Sequence, residues 1–135
     1  MFRFNVRVAK ICSGDSTCYA SAENIRSSVT FEFKGMAVKL TGYLLKSFRN
    51  RSNGYHLRNL VFEAFNKKTG DWDVIHEEND FEGLNGQSKI ATFCIDESKQ
   101  KFTNQIRLRQ TGDCYCPEHK TGDYFQIVSI DFLAF

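Results

Sequence analysis

One proline, Pro117, stands among the 135 residues, and no low-complexity or linker-like stretch accompanies it. A chain of this length with so little punctuation reads as a single domain over residues 1–135, with room for a real core. No apolar run approaches the ~18 residues that a membrane-spanning helix requires. The opening, Met1-Phe-Arg-Phe-Asn-Val-Arg-Val8, alternates apolar and polar residues and lacks the unbroken apolar stretch of a secretory signal. It reads as a strand, so the expectation is a cytoplasmic protein, or a chain whose targeting segment is missing. An excess of either charge is also lacking. Eighteen Lys and Arg against 16 Asp and Glu leave +2, too weak a field to point to nucleic acid.

Paired cysteines are lacking in a second sense: the count is odd, with Cys12, Cys18, Cys94, Cys114 and Cys116. A secreted disulfide framework usually has an even number. Most of the five are therefore expected reduced, in an intracellular setting, and the close pairs remain open to bridging under oxidation. No G-x-S-x-G nucleophile motif and no phosphate-binding glycine loop occurs, and His56, His76 and His119 are scattered. The expectation is no enzyme activity and no cofactor. Asp71, Asp73, Asp80 and Glu82 match no calcium-loop spacing and read as solvated acids.

What is present is phenylalanine, 13 of them, in a chain that is 41% apolar and 25% charged. Bulky aromatic residues suit strands and a core between two sheets. Short apolar runs recur between turn signals: Phe2 to Ile11, Val29 to Phe33, Val38 to Leu45, Leu60 to Phe65, Trp72 to His76, Ile90 to Ile95, Gln105 to Gln110 and Phe125 to Phe135. The pair flanking Asn66-Lys-Lys-Thr-Gly-Asp71 has the pattern of a β-hairpin with a longer loop. Helical periodicity never lasts more than about two turns, and Asp80 to Leu84 is the one candidate for a helical turn. Many short strands with few helix signals predict an all-β, antiparallel sandwich or barrel.

Alternation assigns faces. Val29, Phe31 and Phe33 share one. In the last strand Tyr124, Gln126, Val128, Ile130 and Phe132 are expected to face the core. The expected core comprises Phe31, Phe33, Leu40, Phe62, Trp72, Ile106, Leu108, Ile130 and Phe132. Arg107 and Arg109 lie on the other face of their strand, where pairing with carboxylates of neighbouring strands is expected.

Five segments, in order, carry a resemblance: Val29-Thr-Phe-Glu-Phe-Lys34, Val38-Lys-Leu-Thr-Gly-Tyr-Leu-Leu-Lys-Ser47, Leu57-Arg-Asn-Leu-Val-Phe-Glu-Ala-Phe-Asn66 with Gly70-Asp-Trp72, Ile106-Arg-Leu-Arg-Gln-Thr-Gly112, and Ile127-Val-Ser-Ile-Asp-Phe132. Over residues 25–135 the chain resembles the discoidin-like, or coagulation factor 5/8 type C, domains of the galactose-binding-domain-like fold. It is most similar to intracellular versions in protists and other eukaryotes, often found beside BTB domains. The resemblance implies a jelly-roll β-sandwich and a non-catalytic recognition module that binds through loops at one end. Two departures stand out. The segment before Val29 is short, and the Gly-Ser usual in the hairpin strand is Ala64-Phe65, with Leu60 where a tryptophan is usual. The short first segment tilts the expectation from a sugar to a protein partner inside the cell. An extracellular lectin-like domain binding carbohydrate at the same loops is the alternative.

If the resemblance holds, the loops Ser13–Ser28, Phe48–Gly54 and Asp113–Gly122 converge at one end. Aromatic anchors and guanidinium groups dominate interface energetics, so Phe48, Arg49, Arg51, Tyr115 and Lys120 are the candidate partner contacts. Cys114-Tyr-Cys116-Pro-Glu-His119 would supply three zinc ligands if a fourth arrived. The common zinc pattern separates its cysteines by two residues, and no second such pair exists, so a plain loop without metal is expected there.

Overall fold

The computed structural model describes residues 2–7, 10–12, 15–20, 28–49, 51–116 and 125–134, the first three spans as backbone alone. Its strands in chain order are β1 (Phe2–Arg7), β2 (Lys10–Cys12), β3 (Asp15–Ala20), β4 (Ser28–Glu32), β5 (Val38–Ser47), β6 (Leu60–Asn66), β7 (Asp71–Glu78), β8 (Ile90–Cys94), β9 (Phe102–Thr103), β10 (Gln105–Gln110) and β11 (Gln126–Ala134). They form two antiparallel sheets. One runs β2-β3-β11-β5-β8, with β1 also on β11 and β9 on the start of β5; the other runs β4-β10-β6-β7. The all-β sandwich expected from the strand pattern is the architecture found. Among the described residues the helical content is one 3-10 turn, Glu97–Lys99, capped by the Asp96 carboxylate accepting from Ser98 N. No helix forms at Asp80 to Leu84: Asp80 takes a left-handed φ of 52°, and the hydrogen-bonded turn there runs from Glu82 to Asn85, with Asn85 N donating to Glu82 O at 3.0 Å.

The inner faces meet in an aromatic core. The Tyr43 ring stacks on Phe62 at 3.8 Å and on Phe93 at 4.9 Å. Phe31 and Phe33 meet Phe132 edge-on at 5.4 and 5.5 Å. Leu40, Leu60, Ile106, Leu108 and Ile130 are among the aliphatic residues buried with them, each side chain contributing roughly 1.5–3 kcal/mol by burial. Phe31 and Phe33 face inward as expected but are only partly buried, since β4 is an edge strand.

Three register slips decide which residues face in. On β11 the pairing to β5 skips Val128: Ile127 is opposite Ser47 and Ser129 opposite Lys46. The extra residue reverses the alternation. Phe125 and Ile127 therefore point inward on one side of the bulge, Ile130, Phe132 and Ala134 on the other. The expected inward set is thus corrected at Gln126 and Val128, whose core places go to Phe125 and Ile127; Gln126 is buried all the same and Val128 half-buried, while Tyr124 lies outside the described residues. On β5 the slip at Thr41 likewise passes the inward role from Val38 and Leu40 to Tyr43 and Leu45. On β7 the skipped residue is Ile75, which is buried.

Trp72, expected in the core, is not there. It pairs with Phe65 on the outer face of the four-stranded sheet, with ring centroids 5.3 Å apart and the Arg107 guanidinium 4.4 Å above its ring. Strand parity sends it outward, because Phe62 and Ala64 on the facing strand take the inward positions. The same outer face holds the expected ladder: Arg107 Nε donates to Glu63 Oε1 at 2.9 Å, and Arg109 donates to both Glu63 oxygens at 3.0 and 3.3 Å.

Candidate functional site

β5 ends, β6 begins and β10 ends at the same end of the sandwich, so the described segments 48–49, 51–59, 79–89 and 111–116 gather there. Ala20, opposite Gln126, and Ser28, opposite Arg109, reach the same end; residues 21–27 and 117–124 lie outside the described set. The segment 79–89, which sequence reasoning did not include, is the keystone.

Short polar side chains tie these segments through backbone groups, as Asn and Ser do in turns. Asn53 sits at φ 63°. Its N–H donates to Asn85 Oδ1 at 2.6 Å, and Asn85 Nδ2 donates back to Asn53 Oδ1 at 3.3 Å. The Ser47 hydroxyl donates to Gly86 O at 2.7 Å and accepts from Lys89 N at 2.8 Å. Asn59 joins the other two segments: its Oδ1 accepts from Asp80 N at 2.9 Å and its Nδ2 donates to Asp113 O at 2.9 Å. His56 is fully buried and its Nε2–H donates to Arg51 O at 3.0 Å.

The candidate residues take different places on this frame. Phe48, expected as an exposed rim aromatic, is 6% exposed, just past the end of β5, where strand alternation gives the inward place to its buried neighbour Ser47; Arg49 extends over its ring at 5.7 Å. Arg49 and Arg51 are exposed. Tyr115 is half-buried. Its hydroxyl donates to Phe81 O at 2.8 Å and its ring lies 5.0 Å under the Arg58 guanidinium, which is itself held by Asp80 at 2.8 Å. Burial, then the negative charge of Glu82, pushes the Tyr115 hydroxyl pKa up. Lys120 and His119 lie outside the described residues. Cys114 is buried and Cys116 half-buried, and burial pushes the Cys114 thiol up. Among the described residues no group of three His, Cys, Asp or Glu is placed to hold a metal, and no helix is long and apolar enough to cross a membrane. The tying residues Asn59, Asn85 and Ser47 carried no motif; the signal was only that Asn and Ser cluster between apolar runs.

Chemically, this end offers guanidinium, amide and main-chain groups on a backbone fixed from several sides, an arrangement suited to holding a ligand. No family model matches the chain, and no curated protein sequence matches it either. The fold is similar to solved structures. The CpGH89 CBM32-5 module from Clostridium perfringens, in complex with GalNAc-β-1,3-galactose, superposes with a TM-score of 0.63 at 9% identity, over 98% of this chain and 95% of that one. The family 32 carbohydrate-binding module of Streptococcus pneumoniae EndoD gives 0.61 at 11% identity, over 87% and 75%. An F5/8 type C domain of a Bacteroides fragilis protein gives 0.60 at 15% identity, over 93% and 77%. The jelly-roll fold implied by the sequence resemblance is therefore the fold that the chain shares with these domains.

Proposed function

We propose that residues 1–135 form a non-catalytic recognition module that binds a protein partner through the loop end built from residues 48–49, 51–59, 79–89 and 111–116. The observation that carries this reading is the pairing of exposed Arg49 and Arg51 with a backbone pinned by the Asn53–Asn85 and His56–Arg51 hydrogen bonds. A preorganised backbone reduces the ordering cost of binding, and arginine is enriched at protein interfaces. Two described aromatics of this end are turned to structural work, Phe48 buried and Tyr115 under Arg58, which leaves less for the stacking that sugar faces favour. The unbridged thiols of Cys94 and Cys116 agree with work in a reducing compartment, and we place the domain inside the cell.

Carbohydrate binding is the second reading, favoured by one observation: the fold is shared with modules solved with GalNAc-β-1,3-galactose and with galactose. One experiment separates the two. A photo-crosslinking amino acid replaces Ser52 in cells that express the chain, and purified protein is titrated in parallel with both sugars. Covalent adducts to a protein that vanish on Arg49→Ala/Arg51→Ala support the first reading. Saturable sugar binding, with no protein adduct, replaces it by the second.

A further inference from the structure

The opposite end of the sandwich, where the β6–β7 hairpin meets the segment leading into β9 and β10, contains a pocket of about 330 Å³. Two of its walls are aromatic: Phe65, which is half-buried, and Phe102, which is 68% exposed although it sits beside a core strand. Met36, next to the lining, is 53% exposed as well. Three lysines line it and no carboxylate does. One of the three is already engaged: Lys101 Nζ meets Asp73 Oδ2 at 2.8 Å, and Asn66 Nδ2 donates to the same oxygen at 3.0 Å. That pair neutralises Asp73 and fixes the wall. Lys67 and Lys68 are exposed and, among the described residues, have no ion-pair partner. The Asn66 carbonyl oxygen Oδ1 accepts from Lys68 N at 2.9 Å, which holds the lysine pair at the lip. Asn104 also lines the pocket, and its Oδ1 is buried with no hydrogen-bond partner among the described residues, a costly state unless a donor arrives.

We propose that this pocket is a second binding site, for an acidic peptide segment of a partner protein. One apolar side chain of the peptide seats between Phe65 and Phe102, flanking carboxylates lie on Lys67 and Lys68, and a peptide N–H donates to Asn104 Oδ1. The two free cations select an anionic ligand, and the aromatic walls select one with an apolar body. The unpaired acceptor selects a ligand that also carries a donor, which a peptide backbone has and a fully ionised phosphate lacks. The site lies at the other end of the sandwich from Arg49 and Arg51, so it is independent of the loop-end reading.

The probe is a fluorescein-labelled peptide, Asp-Glu-Phe-Glu-Asp, followed by fluorescence anisotropy with the full chain. A saturable rise is expected, weakened about tenfold or more by Lys67→Glu/Lys68→Glu and similarly by Phe102→Ser, and unchanged by Arg51→Ala. Replacing the peptide's phenylalanine by serine is expected to weaken binding by a similar factor. All three positions are exposed, and circular dichroism checks that the variants fold. No saturable binding up to millimolar peptide overturns the proposal. So does binding that survives Lys67→Glu/Lys68→Glu, or sedimentation with phosphatidylserine vesicles in place of peptide binding.

Discussion

Tyr43→Phe is expected to make the protein more stable. The Tyr43 side chain is 0% exposed and its ring is held on three sides: stacked on Phe62 and Phe93, and edge-on to His76 at 5.6 Å. Its hydroxyl has no hydrogen-bond partner among the described residues. Phenylalanine keeps every ring contact and removes only the stranded hydroxyl. Leaving such a group unsatisfied costs about 1–3 kcal/mol, while the hydroxyl-sized gap left behind returns only about a few tenths of that. The net expectation is a gain of roughly 1–2 kcal/mol. At the unfolding entropy typical of globular chains, each kcal/mol shifts the Tm of a domain this size by about 3–4 °C. Urea unfolding, with the midpoint displaced and the slope unchanged, measures the gain. The pH dependence provides a second reading. Burial, and then the charge of Glu78, raise the Tyr43 pKa well above the ordinary phenol value. Above about pH 10 the unfolded chain gives up this proton while the folded one keeps it, so stability falls with rising pH. That alkaline loss is fully absent below the unfolded pKa, and it should be shallower in Tyr43→Phe. If Tyr43→Phe destabilises the protein by even about 0.5 kcal/mol, the hydroxyl has a partner, such as an ordered water, and the reasoning fails.

Glu63→Gln is expected to cost roughly 2–3 kcal/mol, less than the full cost of breaking a sequestered ion pair because Arg107 and Arg109 reach water, with equilibrium denaturation as the check. Burial raises the Glu63 pKa, but the hydrogen bonds of Arg109 and Arg107 and their charges outweigh it, and the net shift is downward. The wild-type stability it contributes is present above the unfolded pKa of about 4.3 and is lost as pH falls through the folded value, so the gap between wild type and Glu63→Gln should narrow in acid. Gly42→Ala would place its Cβ 2.6 Å from the Phe93 carbonyl oxygen and should cost about 1–3 kcal/mol or abolish soluble expression, because backbone cannot step aside as a flexible side chain does. Phe48→Ala should cost about 3 kcal/mol or more through the core, whereas Arg51→Ala should leave the melting temperature within about 1–2 °C while weakening partner binding; equal effects on stability would contradict the opposite placements of the two residues.

The strand alternation around Val29, Phe31 and Phe33, the hairpin pattern from Leu60 to Ile75 and the paired arginines of Ile106 to Gln110 were enough to read an all-β sandwich and an outward arginine ladder. They are local patterns of period two, which survive folding because one face of each strand must leave water. The bulges at Val128, Thr41 and Ile75 were not legible. Each inserts a single residue whose position depends on which strand lies alongside, so the inward set of β11 and the outward place of Trp72 emerge only once β5 and β6 are in position. The candidate site divided in the same way. Arg49 and Arg51 were readable as solvent-facing charges in a polar loop, but the burial of Phe48 followed from what β5 packs against. The Asn53–Asn85 and Asn59–Asp113 ties join residues 32 and 54 positions apart, and the pocket joins Phe65, Lys67 and Lys68 to Phe102 and Asn104. No local pattern encodes such meetings, because they exist only where two sheets bring distant turns to one end.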